Sequence, residues 1–482
     1  MSCANAIDSG VGRRHYAGKG GASVAISTTA NAAAPDNPLL HGPILPRLIG
    51  FALPNMGAMV AGSVAAIAET AYVGQLGVPA LAGMAVVFPI VMLQGMLSAG
   101  AMGSGVSAAI ARALGSGDRP QAEALAVHAL WISVIAGVIT TFVIELFAPS
   151  LFALLGARGA ALAQAVIYAR VAFLGAIAVW LVNLLAAVLR GAGSMKAPSA
   201  ILLLTAVAQV VIGGVCGLGL GPIPRFGMAG VAAGQVAASA IGAALLIVQL
   251  RSGRAAVTLA LGSVRPQAAL FGAILRTGAT AAVSPLMAIA AIILLNRLVS
   301  GYGPTVLAGF GIGTRLEFLL TPLSFAIGVA SVPLVGTAIG AGMVARARAA
   351  AWIAGGLAAA TMATIGIILG LFPVLWVGMF TSDPETLAAA SDYFHWVGPA
   401  YGFFGAGMSL FFSALAAGRV VGMLLAGASR LLVIMLGGLA LVPLAAPLWM
   451  VFALITVAMA TYGSIAMLVM ARSKWGMEST PH

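Results

Sequence analysis

Charge is what this sequence has least of. Only 7% of its 482 residues are Asp, Glu, Lys or Arg, against about 25% in a soluble domain. That deficit excludes an ordinary water-soluble fold. Acids are the scarcest, eleven against twenty-three Lys and Arg, for a net charge of +12. A positive excess can signal a nucleic-acid partner. Here the bases lie between apolar runs, so a lipid bilayer accounts for them and no nucleic acid is expected. Two cysteines, Cys3 and Cys216, make neither a disulfide framework nor a metal motif. Metal spacing, phosphate loop, nucleophile elbow and paired carboxylates are all missing. No cofactor is implied. An intramembrane enzyme would need His, Asp or Glu clustered within helices, and too few are present.

What is there is apolar. Hydrophobic residues make up 61% of the chain, and most of its 62 glycines sit inside apolar runs, where they let helices approach closely in lipid. Residues 1–45 are polar and rich in Ala, Gly, Ser and Asn, and read as a disordered tail. Arg13-Arg14 precedes a segment too short and too polar for a cleaved signal. Twelve apolar helices follow, at about 46–75, 79–110, 121–147, 161–189, 197–219, 227–250, 268–299, 304–340, 347–372, 387–414, 419–441 and 446–471. The expected fold is an all-α polytopic membrane protein.

Orientation follows from the loop cations. With the N-terminus inside, sixteen Lys and Arg fall on inner segments, from Arg13 and Arg14 through Arg47, Arg112, Arg190 and Lys196 to Arg472 and Lys474. Three fall outside: Arg158, Arg225 and Arg297. Both termini are therefore expected in the cytoplasm, with the chain in the cell's inner (plasma) membrane.

The chain repeats itself. Leu81-Ala82-Gly83 recurs as Leu307-Ala308-Gly309, Gly115-Ser-Gly117 as Gly340-Ala-Gly342, and Leu185–Gly193 as Leu410–Gly418, at offsets of 226, 225 and 225 residues. Two six-helix lobes are expected, residues 46–250 and 268–471, joined by a 251–267 linker and followed by a 472–482 tail. An even helix number gives both lobes one membrane orientation, so the repeat is parallel and its pseudo-twofold runs along the membrane normal.

One acid stands alone. From Leu48 to Gly77 the single ionisable carboxylate or base is Glu69. It lies 22 residues after Arg47, about 33 Å at 1.5 Å per residue. That places it in the outer half or at the outer edge of the bilayer core. A carboxylate there is costly unless neutralised, paired or facing water, which makes Glu69 the candidate ion-coupling group. Tyr72, one turn on, is placed either to bond it or to sit as an interfacial aromatic. Asn183 reads first as an interhelical hydrogen bond. Pro54-Asn55 reads as a bend. Glu317 and Arg430 are lone charges in second-lobe helices and could pair.

Several motifs together resemble the multidrug and toxic compound extrusion (MATE) transporters. They are Glu69-Thr-Ala-Tyr-Val-Gly-Gln-Leu-Gly77, Arg190-Gly-Ala-Gly193 with Lys196-Ala-Pro198, Gly227-Met-Ala-Gly230, and Leu307-Ala-Gly-Phe-Gly-Ile-Gly-Thr-Arg315-Leu-Glu317 with Pro333-Leu-Val-Gly336. The resemblance covers residues 46–471. It implies a central cavity and export of small organic, cationic or amphipathic compounds against inward H⁺ or Na⁺, by a monomer working through alternating access. The family's first-helix acid falls on Glu69. Its fifth-helix Asn falls on Gln209, the following Asp on Gly213, and a sixth-helix Thr on Gln235. The first lobe therefore keeps amides and loses its second acid. A hard cation wants several oxygen ligands, so a proton suits the site better than Na⁺. The alternative is a flippase for a lipid-linked saccharide, of the same broad superfamily. Its cationic cavity is disfavoured by bases that map to loops.

Overall fold

The computed structural model describes residues 37–260, 265–441, 446–473 and 475. Among the described residues twelve segments are long and apolar enough to cross a membrane, counting one bent pair as a single span. In chain order they are α1 (Ile44–Gln75), α2 (Val78–Gly115), α3 (Arg119–Leu154), α4 (Gly159–Leu174 plus Ala176–Gly191), α5 (Lys196–Leu218) and α6 (Gly227–Arg251). The second six are α7 (Ala268–Ser300), α8 (Pro304–Gly340), α9 (Val344–Leu371), α10 (Pro384–Ala416), α11 (Val420–Leu441) and α12 (Leu448–Arg472). Among the described residues there is no strand. Exposed apolar side chains such as Ile139, Phe142 and Leu146 on α3 face outward, where lipid rather than water removes the cost of exposure.

Two expected single helices are irregular. α4 bends by 50° at Gly175, where an added Cβ would meet the Val236 side chain at 2.4 Å. A larger residue there would push α4 off α6. α2 carries a π-helical segment, Met96–Met102, of the kind that shifts a helix face by one residue. α1 runs unbroken through Pro54, and Asn55 beside it is fully buried. Its amide donates to Ala326 O of α8 at 3.3 Å. Asn55 thus ties two helices together, a role apart from the bend read from the sequence at Pro54-Asn55, where the helix continues without a break.

The repeat is written into the backbone. Gly77 and Gly303 open α2 and α8 with φ of 109° and 103°. Gly117 and Gly342 follow the same two helices at 81° and 72°, and Gly193 and Gly418 follow α4 and α10 at 79° and 73°. All six hold the left-handed region that glycine tolerates without strain. Each pair is separated by 225 or 226 residues. Helix packing repeats as well. α1 packs on α5, α5 on α6, α6 on α4, and α4 on both α2 and α3. α7, α11, α12, α10, α8 and α9 pack in the same order. Gly83 of α2 approaches Ala161 O and Ala165 N of α4, and Gly309 of α8 approaches Thr386 O and Ala390 N of α10, each at 2.9–3.0 Å from an ideal Cβ. These are two six-helix lobes related by a parallel repeat.

The lobes meet on α2 and α8, flanked by α1 against α8 and α7 against α2. The closest approach is reciprocal. A Cβ on Gly115 would lie 2.1 Å from Thr337 O, and one on Gly340 would lie 2.0 Å from Arg112 O. Arg112 Nη1 also donates to Ala416 O at 2.7 Å, closing the end of α10. All of this lies at the end of the bundle that carries most of the Lys and Arg, here called the basic end.

The tail and linker differ from the sequence reading. Residues 1–36 lie outside the described residues; 37–45 include a 3₁₀ turn and the start of α1. Asn37 Oδ1 accepts from Leu39 N, Pro38–Leu40 forms a 3₁₀ turn, and Leu40 is buried. Arg346 of α9 donates to Leu39 O, His41 O and Gly42 O at 3.1–3.2 Å. Leu39 also lies 3.1 Å from where a Cβ on Gly193 would stand. This short segment therefore touches both lobes. The described part of the 251–267 linker docks on α3: Thr258 Oγ1 donates to Glu123 at 2.8 Å, and Gln267 N donates to His128 Nε2 at 3.0 Å. Of the 472–482 tail, only Arg472, Ser473 and Trp475 are described.

Candidate ion and substrate site

Glu69 sits about four-fifths of the way along α1, in the half away from the basic end, and is 5% exposed. Helical spacing puts it on the face α1 turns to α5. Oε1 is buried without a hydrogen-bond partner. The Gln209 side chain of α5 is the carboxylate's hydrogen-bonding neighbour. Tyr168 of α4 is close enough to sense its charge and gives its hydroxyl to Gln235 Oε1 at 3.3 Å. The first lobe thus gathers one carboxylate, two amides and one phenol from α1, α4, α5 and α6. Gly213 takes no polar part, because it lies against Gly234 of α6 where the two backbones nearly touch. Tyr72 does not bond Glu69. Its ring rests on Gly214, with CZ 2.9 Å from an ideal Cβ there.

Asn183 lies outside this cluster. Its Nδ2 donates to Ser98 Oγ at 2.8 Å, joining α4 to the π-helical segment of α2. Arg190, counted from the sequence as a loop cation, is 3% exposed within α4. Its Nε is unpartnered, and Nη2 stands 3.8 Å from an ideal Cβ on Gly103.

The second lobe builds a different constellation. Glu317 of α8 accepts a short hydrogen bond from the Tyr393 hydroxyl of α10, and Tyr401 lies beside them. Arg430 does not close an ion pair with Glu317. The two interact at longer range, and the ion pairs within 4.0 Å among the described residues are Arg119–Glu123 and Arg170–Glu145. The Arg430 guanidinium instead lies 5.2 Å over the Phe404 ring, near Tyr462, with Nε unpartnered. A cation on an aromatic face keeps part of the stabilisation an anion would give.

Tyr168 and Tyr393 are 225 residues apart, which makes them equivalent under the repeat. Each faces a carboxylate, but the carboxylates are not equivalent: one comes from the first helix of its lobe, the other from the second. Sequence reasoning missed both tyrosines. The repeat offset was the signal that could have found them.

Comparison with known proteins decides the family. The MatE family model matches residues 54–215 and 280–439, one block in each lobe. The chain belongs to the MATE family of transporters. A MATE relative from Deinococcus radiodurans, a probable multidrug resistance protein NorM, is 31% identical over 368 residues, covering 72% of this chain and 77% of that protein. An FAD transporter of Shewanella oneidensis is 28% identical over 369 residues, covering 76% and 80%. A solved MATE transporter in an outward-facing conformation superposes with a TM-score of 0.82 at 24% identity, covering 90% and 96%, which establishes the fold. The chain is thus a polytopic membrane transporter of small molecules.

Proposed function

We propose that this MATE transporter exports organic cations by exchange with protons, and that Glu69 is the group that carries the proton. One observation supports this above the others: Glu69 is buried with one carboxylate oxygen unpartnered, in a site whose remaining polar groups are neutral. A buried ionised carboxylate without a counter-charge is strongly disfavoured. Protonation supplies the missing donor and removes the charge together. One carboxylate, two amides and a phenol make a thin cage for a sodium ion.

The cycle then alternates two lobe packings. With the basic end closed at Gly115 and Gly340, a proton reaching Glu69 from the opposite side lets the acid stay buried. Opening at the basic end releases it and returns the charge. The basic end is taken as cytoplasmic from the loop cations, with both termini on that side of the plasma membrane. Residues 46–250 and 268–471 are taken as the moving lobes of a monomer.

Transport into proteoliposomes tests this. A fluorescent organic cation should move under a pH gradient and not under a Na⁺ gradient. Glu69→Gln should insert and fold but stop gradient-driven movement, and Glu69→Asp should keep part of it. Wild-type rates in Glu69→Gln would end the proposal. A second reading, export of an anionic flavin dinucleotide, is favoured by the likeness to the Shewanella FAD transporter. FAD as competitor in the same assay separates the two.

A further inference from the structure

Beside the start of α1 lies a cleft of about 360 Å³, remote from the Glu69 cluster. It is lined by Arg47, Gly50 and Phe51 of α1 and by Gly193, Ser194, Met195 and Lys196 at the α4–α5 turn. Two of these residues are cations, and none is acidic. A third cation, Arg346, is near enough to Arg47 to repel it. Arg47 Nη1 is buried and makes no hydrogen bond. A buried charged donor without an acceptor is costly, and so is holding two guanidinium groups together. Both costs fall when an anion enters the cleft and the Arg47 guanidinium turns to meet it.

Two further features fit the same occupant. Lys196 begins the 23-residue helix α5, and its cap residue Met195 offers no side-chain hydrogen bond to the first turn. Pro198 has no N–H, so the free N–H groups of Lys196 and Ala197, with the positive end of the helix dipole, add to Lys196 on the edge of the cleft opposite Arg47. The cleft also sits where two spanning helices begin, the depth at which phospholipid headgroups lie. Basic recesses between membrane helices at such a level hold phosphate-bearing headgroups.

We infer that the cleft between Arg47 and Lys196 binds a phosphate group, such as that of an anionic phospholipid at the basic end of the bundle. Arg47 supplies a planar pair of donors matched to phosphate oxygens. Lys196 and the open turn of α5 hold the opposite edge, with the Ser194 hydroxyl as an added donor. Bound there, the phosphate fastens the start of α1 to the α4–α5 turn.

The test uses the full chain, purified in a neutral detergent. It is titrated in one arm with a short-chain phosphatidylglycerol and in the other with inorganic phosphate, and binding is read by the thermal unfolding midpoint and by native mass spectrometry. A single saturable phosphatidylglycerol should raise the midpoint. Arg47→Gln and Lys196→Met should each weaken it at least about tenfold, the loss of one charge-assisted hydrogen bond. Arg47→Lys, which keeps the charge and loses the fork, should weaken it less than Arg47→Gln. Arg251→Gln/Arg254→Gln, which removes two exposed bases of the same end, should leave it unchanged. Saturation by inorganic phosphate at similar concentration would make a soluble phosphate ester the ligand. No saturable binding of either probe, or equal losses in the Arg251/Arg254 control, would overturn the inference.

Discussion

The two lobes share a backbone and differ in how they treat a buried carboxylate. In the second lobe Glu317 has a phenol donor in Tyr393, a second phenol beside it, and a guanidinium in reach of its field. In the first lobe Glu69 has Gln209 on one side and nothing on Oε1. A provided-for charge can stay where it is through a cycle. An unprovided one must change state when its surroundings close. The same scaffold therefore holds a well-partnered acid in one half and a partly unpartnered one in the other, and under the proposed proton coupling the second is the one that switches. The difference lies in which helix carries the acid, not in the fold.

The sharpest way to break that comparison is to neutralise each acid in turn. Glu69→Gln should abolish pH-driven export in proteoliposomes, while Glu317→Gln should lower it and chiefly reduce stability. Equal losses of drive in both variants would erase the distinction.

Next in size is the symmetry of the seam. Gly115→Val and Gly340→Val each force a side chain into a facing backbone carbonyl. Each should oppose closure at the basic end by about 1–3 kcal/mol, the usual cost of overpacking. Labelling of an introduced Ser107→Cys from that side should rise comparably in both. A response in one variant only would show that the lobes do not close as equivalents.

The tyrosines give a smaller contrast. Tyr393→Phe strands Glu317 as a buried acceptor and should cost about 1–3 kcal/mol of stability. Tyr168→Phe removes only a neutral bond to an amide, for about 0.5–1.5 kcal/mol. Unfolding midpoints of the two variants should therefore separate, with Tyr393→Phe the lower.

The smallest effect concerns helix starts. α10 is capped by Asp383, whose Oδ2 accepts from Thr386 N at 2.9 Å. Its counterpart at the start of α4, Arg158, makes no side-chain cap. The hydrogen bonds from Thr386 hold the Asp383 carboxyl below its ordinary value of 3.8. A depressed carboxyl stabilises the folded state above its unfolded value and loses that contribution as pH falls through the folded one. Acid should therefore loosen the first turn of α10 and leave that of α4 unchanged. Amide exchange of the two peptides, started at neutral and at strongly acidic pH, reads this directly. Asp383→Ala should remove the pH dependence.

How far the sequence carries is uneven for physical reasons. Helices and repeat were legible because lipid demands long apolar runs and because paired glycines such as Gly117 and Gly342 mark turns that other residues would strain. The bend at Gly175 was not, since a helix interrupted by one glycine keeps its hydropathy. Glu69 was legible because a lone acid in an apolar run is conspicuous. Gln209 and Gln235 were reachable only through a family pattern, and the structure brings both into the same cluster. Tyr168, Tyr393 and Tyr401 were missed because a tyrosine between apolar neighbours looks like packing until its hydroxyl finds a partner from another helix. Arg112 and Arg190 were read as loop cations because they stand near helix ends. Chain position says nothing of which way a long side chain folds, and both fold inward.

One feature of the basic end reaches further than its size. Residues 37–42 lie across the line where the lobes meet, with Arg346 gripping three of their carbonyls from one side and Gly193 pressed by Leu39 on the other. Such a segment acts as a tape over a seam. On the proposed cycle, when that end parts, the tape must come away from one bank and travel with the other. A fluorophore placed at Asn37 would then report each stroke of that cycle without touching the cavity. A rigid partner fused at the same place would act as a brake.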